Sequence, residues 1–371
     1  MNLNLLNTIY QNIVSHAPLI DQDGCFPEQE FTWLADASLL QITLPGQLLD
    51  FTRGNTPTLL QLLKNVGRAS LPVGRIYEGH INALYLIHLY ATSEQQKRWY
   101  TDVSQHHQLF GVWNTQAQDG IRIHDLGSGR YRLEGCKTFC SGGSHVTRPL
   151  ITGELVSPDK KGWQMCIIPT EKVKIIVEDR SFWKPLGMKA SASFKMDFTG
   201  IEISEEDLLG PPNAYYQQPY FSGGAIRFAA VQLGGAEAVM EEMHHFITMM
   251  NRTQDPFQQA RMAEITYLTE SGNLWINQAG AKTDEWLQSD DRTDQILAYA
   301  NMTRTMIEEI CLRTLQLAER SVGSRGLMRP DRLERVHRDL TTYLRQPAPD
   351  ATLTAIGAYV FNQPATHDIW N

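Results

Sequence analysis

Along the first hundred residues, apolar side chains recur at three- and four-residue steps, the period of helices with one buried face. Leu3, Leu6, Ile9, Tyr10 and Ile13 open this series. "PEQEFTWLADASLL" begins with Pro27 and early acids, as helix N-termini do. "PTLLQLLKNVGRAS" and "GHINALYLIHLYATSEQQKRWYTDV" continue the pattern. Near Leu109 the period changes. "GRYRLEGCKTF", "RPLITGELV", "GWQMCIIPT", "EKVKIIVED" and "SFKMDFTGIEIS" are short, rich in β-branched and aromatic residues, and divided by Gly, Pro and Asp. Phe194, Met196 and Phe198 alternate with polar neighbours, which predicts a strand with one buried face. From about Ser222 the helical period returns, with a stripe of Ala229, Leu233, Ala236, Met240 and Met243 and another of Ile296, Tyr299, Met306 and Ile310.

The pattern predicts a multidomain α+β chain. An N-terminal α-helical domain covers 1–108, a central β-domain 109–214, and a C-terminal helical bundle 215–371 with three or four helices of ~25 residues.

Composition narrows the function classes. The chain has 371 residues, a net charge of −8 and scattered Lys and Arg, so it carries no footprint for nucleic acid or an anionic membrane. No window approaches the apolar length of a membrane span. Cys25, Cys136, Cys140, Cys166 and Cys311 lack C-x-x-C spacing, as expected of free thiols in a cytoplasmic protein. The opening "MNLNLLNTIYQNIV" has no basic segment before a long apolar core, so no signal peptide is expected.

Nucleotide, zinc, calcium and hydrolase motifs are absent, and no metal site is expected. "SGGSHVT" reads as a turn. Two stretches carry more chemistry. "LFGVWNTQ" ends a strand-like run on Trp113, Asn114 and Thr115, and "LEGCKTFCSGGS" brings Phe139, Ser141 and two glycines. Two strand ends, each with an aromatic and a small hydroxyl residue, suit a planar heteroaromatic ring, with the aromatic against its face and hydroxyls at its polar rim. Ordinary strand packing with turn residues is the alternative.

"LEGCKTFCSGGSHVTRPLITGE", "PLGMKASASFKMDFTGIEISEEDLLG", "GGAIRFAAVQLGGAEAVMEEM" and "ERSVGSRGLMRPDRLERVHRDL" together resemble, in order, four segments of the acyl-CoA dehydrogenase superfamily. The resemblance implies an N-terminal α-domain, a central β-domain and a C-terminal four-helix bundle that hold FAD, in a homodimer or homotetramer. It implies a flavin oxidoreductase acting on a small molecule, an acyl thioester in the fatty-acyl members. By this likeness Thr115 and Ser141 bond the flavin, while Phe139 and Trp113 lie beside it. Arg320 and Gly323, in "RSVGSRG", approach the ADP half of an FAD held mainly by the neighbouring subunit. Arg252 matches an arginine for the pyrophosphate, although Asp255 and Pro256 interrupt the family pattern before Phe257.

The fatty-acyl members use a Glu to take an α-proton. Its usual address after Arg338 and Asp339 falls on Pro347, beside Gln346, and the alternative address falls on Ile226. Both are empty here. A third branch, the oxygen-activating flavin monooxygenases, often places a His in the same loop, near Gln346, and that pattern is not met either. Three readings stay open: a base from His80, Glu78 or His145; a reaction that needs no strong base; or a flavin-binding homologue without turnover.

Overall fold

The computed structural model describes residues 3–345, 348–367 and 369–370. Five helices come first: α1 (Leu3–Ile20), α2 (Glu28–Asp36), α3 (Thr56–Ala69), α4 (Leu71–Tyr90) and α5 (Ser93–His106). The apolar segment read as continuous through Tyr90 breaks at Ala91 and Thr92. Thr92 and Gln95 form a reciprocal capping box that starts α5.

Ten strands follow: β1 (Phe110–Trp113), β2 (Arg122–Gly127), β3 (Arg130–Glu134), β4 (Cys136–Cys140), β5 (Arg148–Val156), β6 (Lys161–Ile167), β7 (Val177–Asp179), β8 (Phe194–Asp197), β9 (Glu202–Ser204) and β10 (Leu208–Leu209). One sheet runs β10-β6-β5-β2-β3-β9, and β1 also pairs with β5. Parallel β1 and β2 follow one another along the same edge of β5. The second sheet runs β4-β8-β7. β2 lies outside the segments read as strands, although buried Ile121 and Ile123 alternate there. "EKVKIIVED" yields only the short β7. Ile175 and Val177 are exposed, so among the described residues no second layer covers this strand and a longer ladder gains no burial.

The bundle consists of α6 (Tyr220–Gly223), α7 (Ala225–Met249), α8 (Pro256–Trp286), α9 (Thr293–Val322), α10 (Arg332–Tyr343) and α11 (Pro349–Phe361). The stripe on α7 is its buried side: Ala229, Leu233, Ala236 and Met243 are all inaccessible to solvent. Small residues let α3, α4 and α7 approach closely. A Cβ on Gly67 would lie 2.4 Å from the Val231 carbonyl oxygen, and one on Gly234 only 2.0 Å from that of Lys64. This close crossing sets α4 against the start of α7, and the site lies between them.

The Arg338–Asp339 pair ties the layers together. Arg338 bonds Glu334 and, 2.6 Å away, Asp21 just beyond α1. Buried Asp339 accepts the amide N–H of Met188 from the β-domain. Burial pushes its carboxyl up to about 7. Its partners are structural.

Candidate functional site

Helix α4 carries a polar stripe along one face. Arg75, Glu78, Asn82 and Tyr85 fall at alternating three- and four-residue steps and therefore share one face. That face lines a cavity of about 540 Å³, together with Asn114 and Thr115 after β1, Tyr215 and Tyr220, Arg227 of α7 and Ala348 before α11.

The polar groups in this wall are linked. Arg75 Nη1 donates to Glu78 Oε2 at 2.6 Å. Asn82 Nδ2 donates to the other carboxylate oxygen, and Arg227 Nε donates to Asn82 Oδ1. Arg227 also lies over the Tyr85 ring, 4.9 Å from its centre. Burial works against the Arg75 charge, but the Glu78 carboxylate offsets it and the guanidinium is held above its ordinary range. For Arg227 burial wins over Tyr85 and Glu78, and its proton is held less tightly than usual. Burial raises Tyr85, Tyr215 and Tyr343, so these walls stay neutral.

Beside the cavity, the two strand ends singled out in the sequence meet. Thr138 N–H donates to the Thr115 carbonyl at 2.9 Å, and Trp113 Nε1 donates to the Ser141 carbonyl at 3.1 Å. Trp113 is buried by this contact and braces the face from behind. Phe139 sits at an irregularity of β4 with φ of 55°. That turn leaves its ring 52% exposed, edge-on to Phe182 and Trp183. The Thr115 side chain is exposed and its hydroxyl has no hydrogen-bond partner among the described residues. Ser141 Oγ lies 2.9 Å from Ser193 Oγ. An open aromatic ring on one strand end and an unengaged hydroxyl on the other fit one face and the polar rim of a flat heteroaromatic group.

Other expected residues lie elsewhere. Arg320, in the last turn of α9, and Gly323, with φ of 60° just after that helix, are both exposed. Exposed Arg252 pairs with Asp255, the N-cap of α8, at 2.7 Å. His145 stacks on Phe26 with ring centres 4.1 Å apart. His80 faces the core: Nε2 donates to the Leu40 carbonyl at 2.8 Å, and Nδ1 accepts the Phe110 N–H at 3.1 Å. Ile226 is buried. Gln346 and Pro347, the other address of the family base, lie outside the described residues. Glu78 alone of the three candidate bases lines the cavity. Arg75, Asn82 and Tyr85 were not anticipated, although their helical spacing within "GRIYEGHINALY" was the available signal.

Residues 226–345 match the family model "Acyl-CoA dehydrogenase, C-terminal domain". A dibenzothiophene monooxygenase of Rhodococcus erythropolis is 21% identical, over 92% of this chain and 88% of that protein. The FMN-bound structure of TdsC from Paenibacillus sp. A11-2 superposes with a TM-score of 0.86 at 17% identity, covering 100% of this chain and 99% of that one. Butyryl-CoA dehydrogenase from Megasphaera elsdenii gives 0.83 at 15% identity, covering 97% of each. The chain has the acyl-CoA dehydrogenase fold, and the match of its C-terminal part to the family model together with these likenesses supports kinship with that superfamily of enzymes. Within it, the similar proteins include both oxygen-using and dehydrogenating members.

Proposed function

We propose that this protein is a flavin-dependent monooxygenase acting on a small molecule that presents a lone pair, rather than a dehydrogenase of acyl thioesters. One observation carries the reading. Among the described residues Glu78 is the only carboxylate lining the cavity, and both its oxygens are engaged, by Arg75 and by Asn82. Each oxygen keeps a further lone pair, but the bonds from Arg75 and Asn82 tie the carboxylate to the α4 wall. A base that takes an α-proton must instead be aimed at carbon. Oxygen transfer to sulfur or nitrogen needs no such base. The similarity to dibenzothiophene monooxygenases agrees with this.

A bound flavin supplies the electrons that activate oxygen. Phe139 and Thr115 would hold the ring, with Trp113 and Ser141 bracing the strand ends beneath it. The cavity walls of Tyr85, Tyr215 and Tyr343 would exclude water and orient the substrate. FAD is the form favoured by exposed Arg320 at the end of α9 and Gly323 just after it. FMN is the alternative, since Arg252 is already paired to Asp255. Exposed Phe257, Tyr267 and Leu274 along α8 support assembly into a homodimer or homotetramer. The free cysteines support a cytoplasmic location.

The test supplies reduced flavin and oxygen to the protein with a panel of aryl sulfides, indoles and amines. Mass spectrometry should find a product one oxygen atom heavier. Flavin reoxidation with no oxygenated product from any member, alongside turnover of acyl-CoA, would reverse the assignment.

A further inference from the structure

The charge along the cavity wall selects among substrates. Arg75, Arg227 and Arg304 line the cavity against the single carboxylate of Glu78. Glu308, beside Arg304, offsets that charge in part, and Arg75 already bonds Glu78. Arg227 differs from both. It has no carboxylate within 4.0 Å among the described residues, and its only protein hydrogen bond there runs from Nε to neutral Asn82. Its two terminal nitrogens make no hydrogen bond to the described residues, while Tyr85, Tyr220, Phe221 and Phe228 supply apolar surface around the same space. A partly buried guanidinium with no carboxylate in contact is costly, and an oxyanion bound to its terminal nitrogens would offset that cost.

Resting on the reading of this cavity as the substrate site, we propose that the protein takes a small organic anion. Its carboxylate, sulfinate or sulfonate group sits on Arg227 and its apolar body lies among the tyrosine and phenylalanine rings. Arginine suits this role because its planar fork meets two oxygens of such a group at once. Glu78 tempers the potential and discriminates against cations, which would meet three guanidiniums.

The experiment titrates flavin-loaded protein by calorimetry with benzoate and with benzamide, its neutral counterpart. Benzoate should bind at least tenfold more tightly, and the difference should shrink as salt is raised. Arg227→Gln should bring the two ligands to parity, while Arg227→Lys should keep part of the preference. Glu78→Gln leaves Arg227 in place and should tighten benzoate severalfold, which gives a gain rather than a loss and does not depend on the Arg227 variants folding. Benzamide or indole binding as tightly as benzoate would overturn the proposal. So would a loss of flavin affinity in Arg227→Gln that matches its loss of benzoate, because the anion would then be the flavin's own phosphate. Flavin retention without benzoate preference sinks the charge assignment alone. Benzoate preference in a protein that never transfers oxygen sinks the monooxygenase reading alone.

Discussion

The two faces of α4 use polar residues in opposite ways. On the core face, Tyr77 donates to the Leu39 carbonyl at 2.7 Å, and both nitrogens of His80 are taken by backbone groups. Those partners are fixed by the fold, so the side chains act as struts. On the cavity face, Arg75, Glu78 and Asn82 bond mainly one another and pass the chain on to Arg227. Their remaining hydrogen-bonding capacity points to space that a ligand can fill. His80 and Glu78 are two residues apart, yet only Glu78 belongs to the site. Burial alone therefore does not mark a functional residue here; the identity of its partners does.

The contrast breaks most visibly if a strut is removed. His80→Leu strands the buried Leu40 carbonyl and Phe110 N–H, and should cost roughly 2–6 kcal/mol in chemical denaturation. Glu78→Gln should cost less than half of that, because the Arg75 side chain is 31% exposed and water can answer it. Equal losses would erase the distinction between the faces.

Acid sharpens the same comparison. Burial holds His80 down to about 4 against an ordinary 6.5, while its bond to Leu40 works the other way. Between those values the unfolded chain binds a proton that the native protein refuses. Stability is therefore present above 6.5 and falls as the pH drops toward 4, by up to about 3 kcal/mol. His80→Leu should lack this part of the slope in denaturant titrations across that range, and Glu78→Gln should keep it. A slope unchanged in His80→Leu would refute the assignment.

At the neighbouring strand ends the expected effect is on flavin. Thr115→Ala removes one hydrogen bond to the ring worth about 1 kcal/mol, so flavin should bind roughly fivefold more weakly. Adding Ser141→Ala, whose hydroxyl pairs with Ser193, should weaken it further by loosening the strand end. Unchanged occupancy by fluorescence titration would move the ring to another face. The smallest effect is expected of Gly79→Ala on α4. No atom lies within 4 Å of the added methyl, so better helix propensity should stabilise the protein by up to about 1 kcal/mol. Gly74→Ala should destabilise it, since that methyl would lie 2.7 Å from Val231 Cγ1. Thermal melts of the pair check the opposite signs.

The order of helices, strands and bundle was legible because burial imposes different periods on the two element types. Ala229, Leu233, Ala236 and Met243 announced α7 in this way. The break before α5 was harder, since Thr92 acts through a local cap rather than through hydrophobic spacing. β7 was overread because β-branched composition does not reveal whether another layer will cover Ile175 and Val177. The strand-end residues Thr115 and Phe139 stood out by type. Arg75 and Asn82 did not, because a polar stripe on a helix ordinarily faces solvent, and only the approach of α7 turns it into a cavity wall. Arg227 was visible as part of a resemblance, but its lack of a carboxylate partner is a property of three dimensions.

The central claim is that Glu78, the only carboxylate lining this cavity among the described residues, is held by Arg75 and Asn82 and does not act as the base for α-proton abstraction. Anaerobic mixing of the flavin-loaded protein with straight-chain saturated acyl-CoAs tests it most directly, followed by the visible absorbance of the oxidised flavin. Loss of a general base typically removes about 10²–10⁴-fold in rate, so the absorbance should persist, with at most slow bleaching. Rapid, complete bleaching would contradict the account and return Glu78 to the role of base.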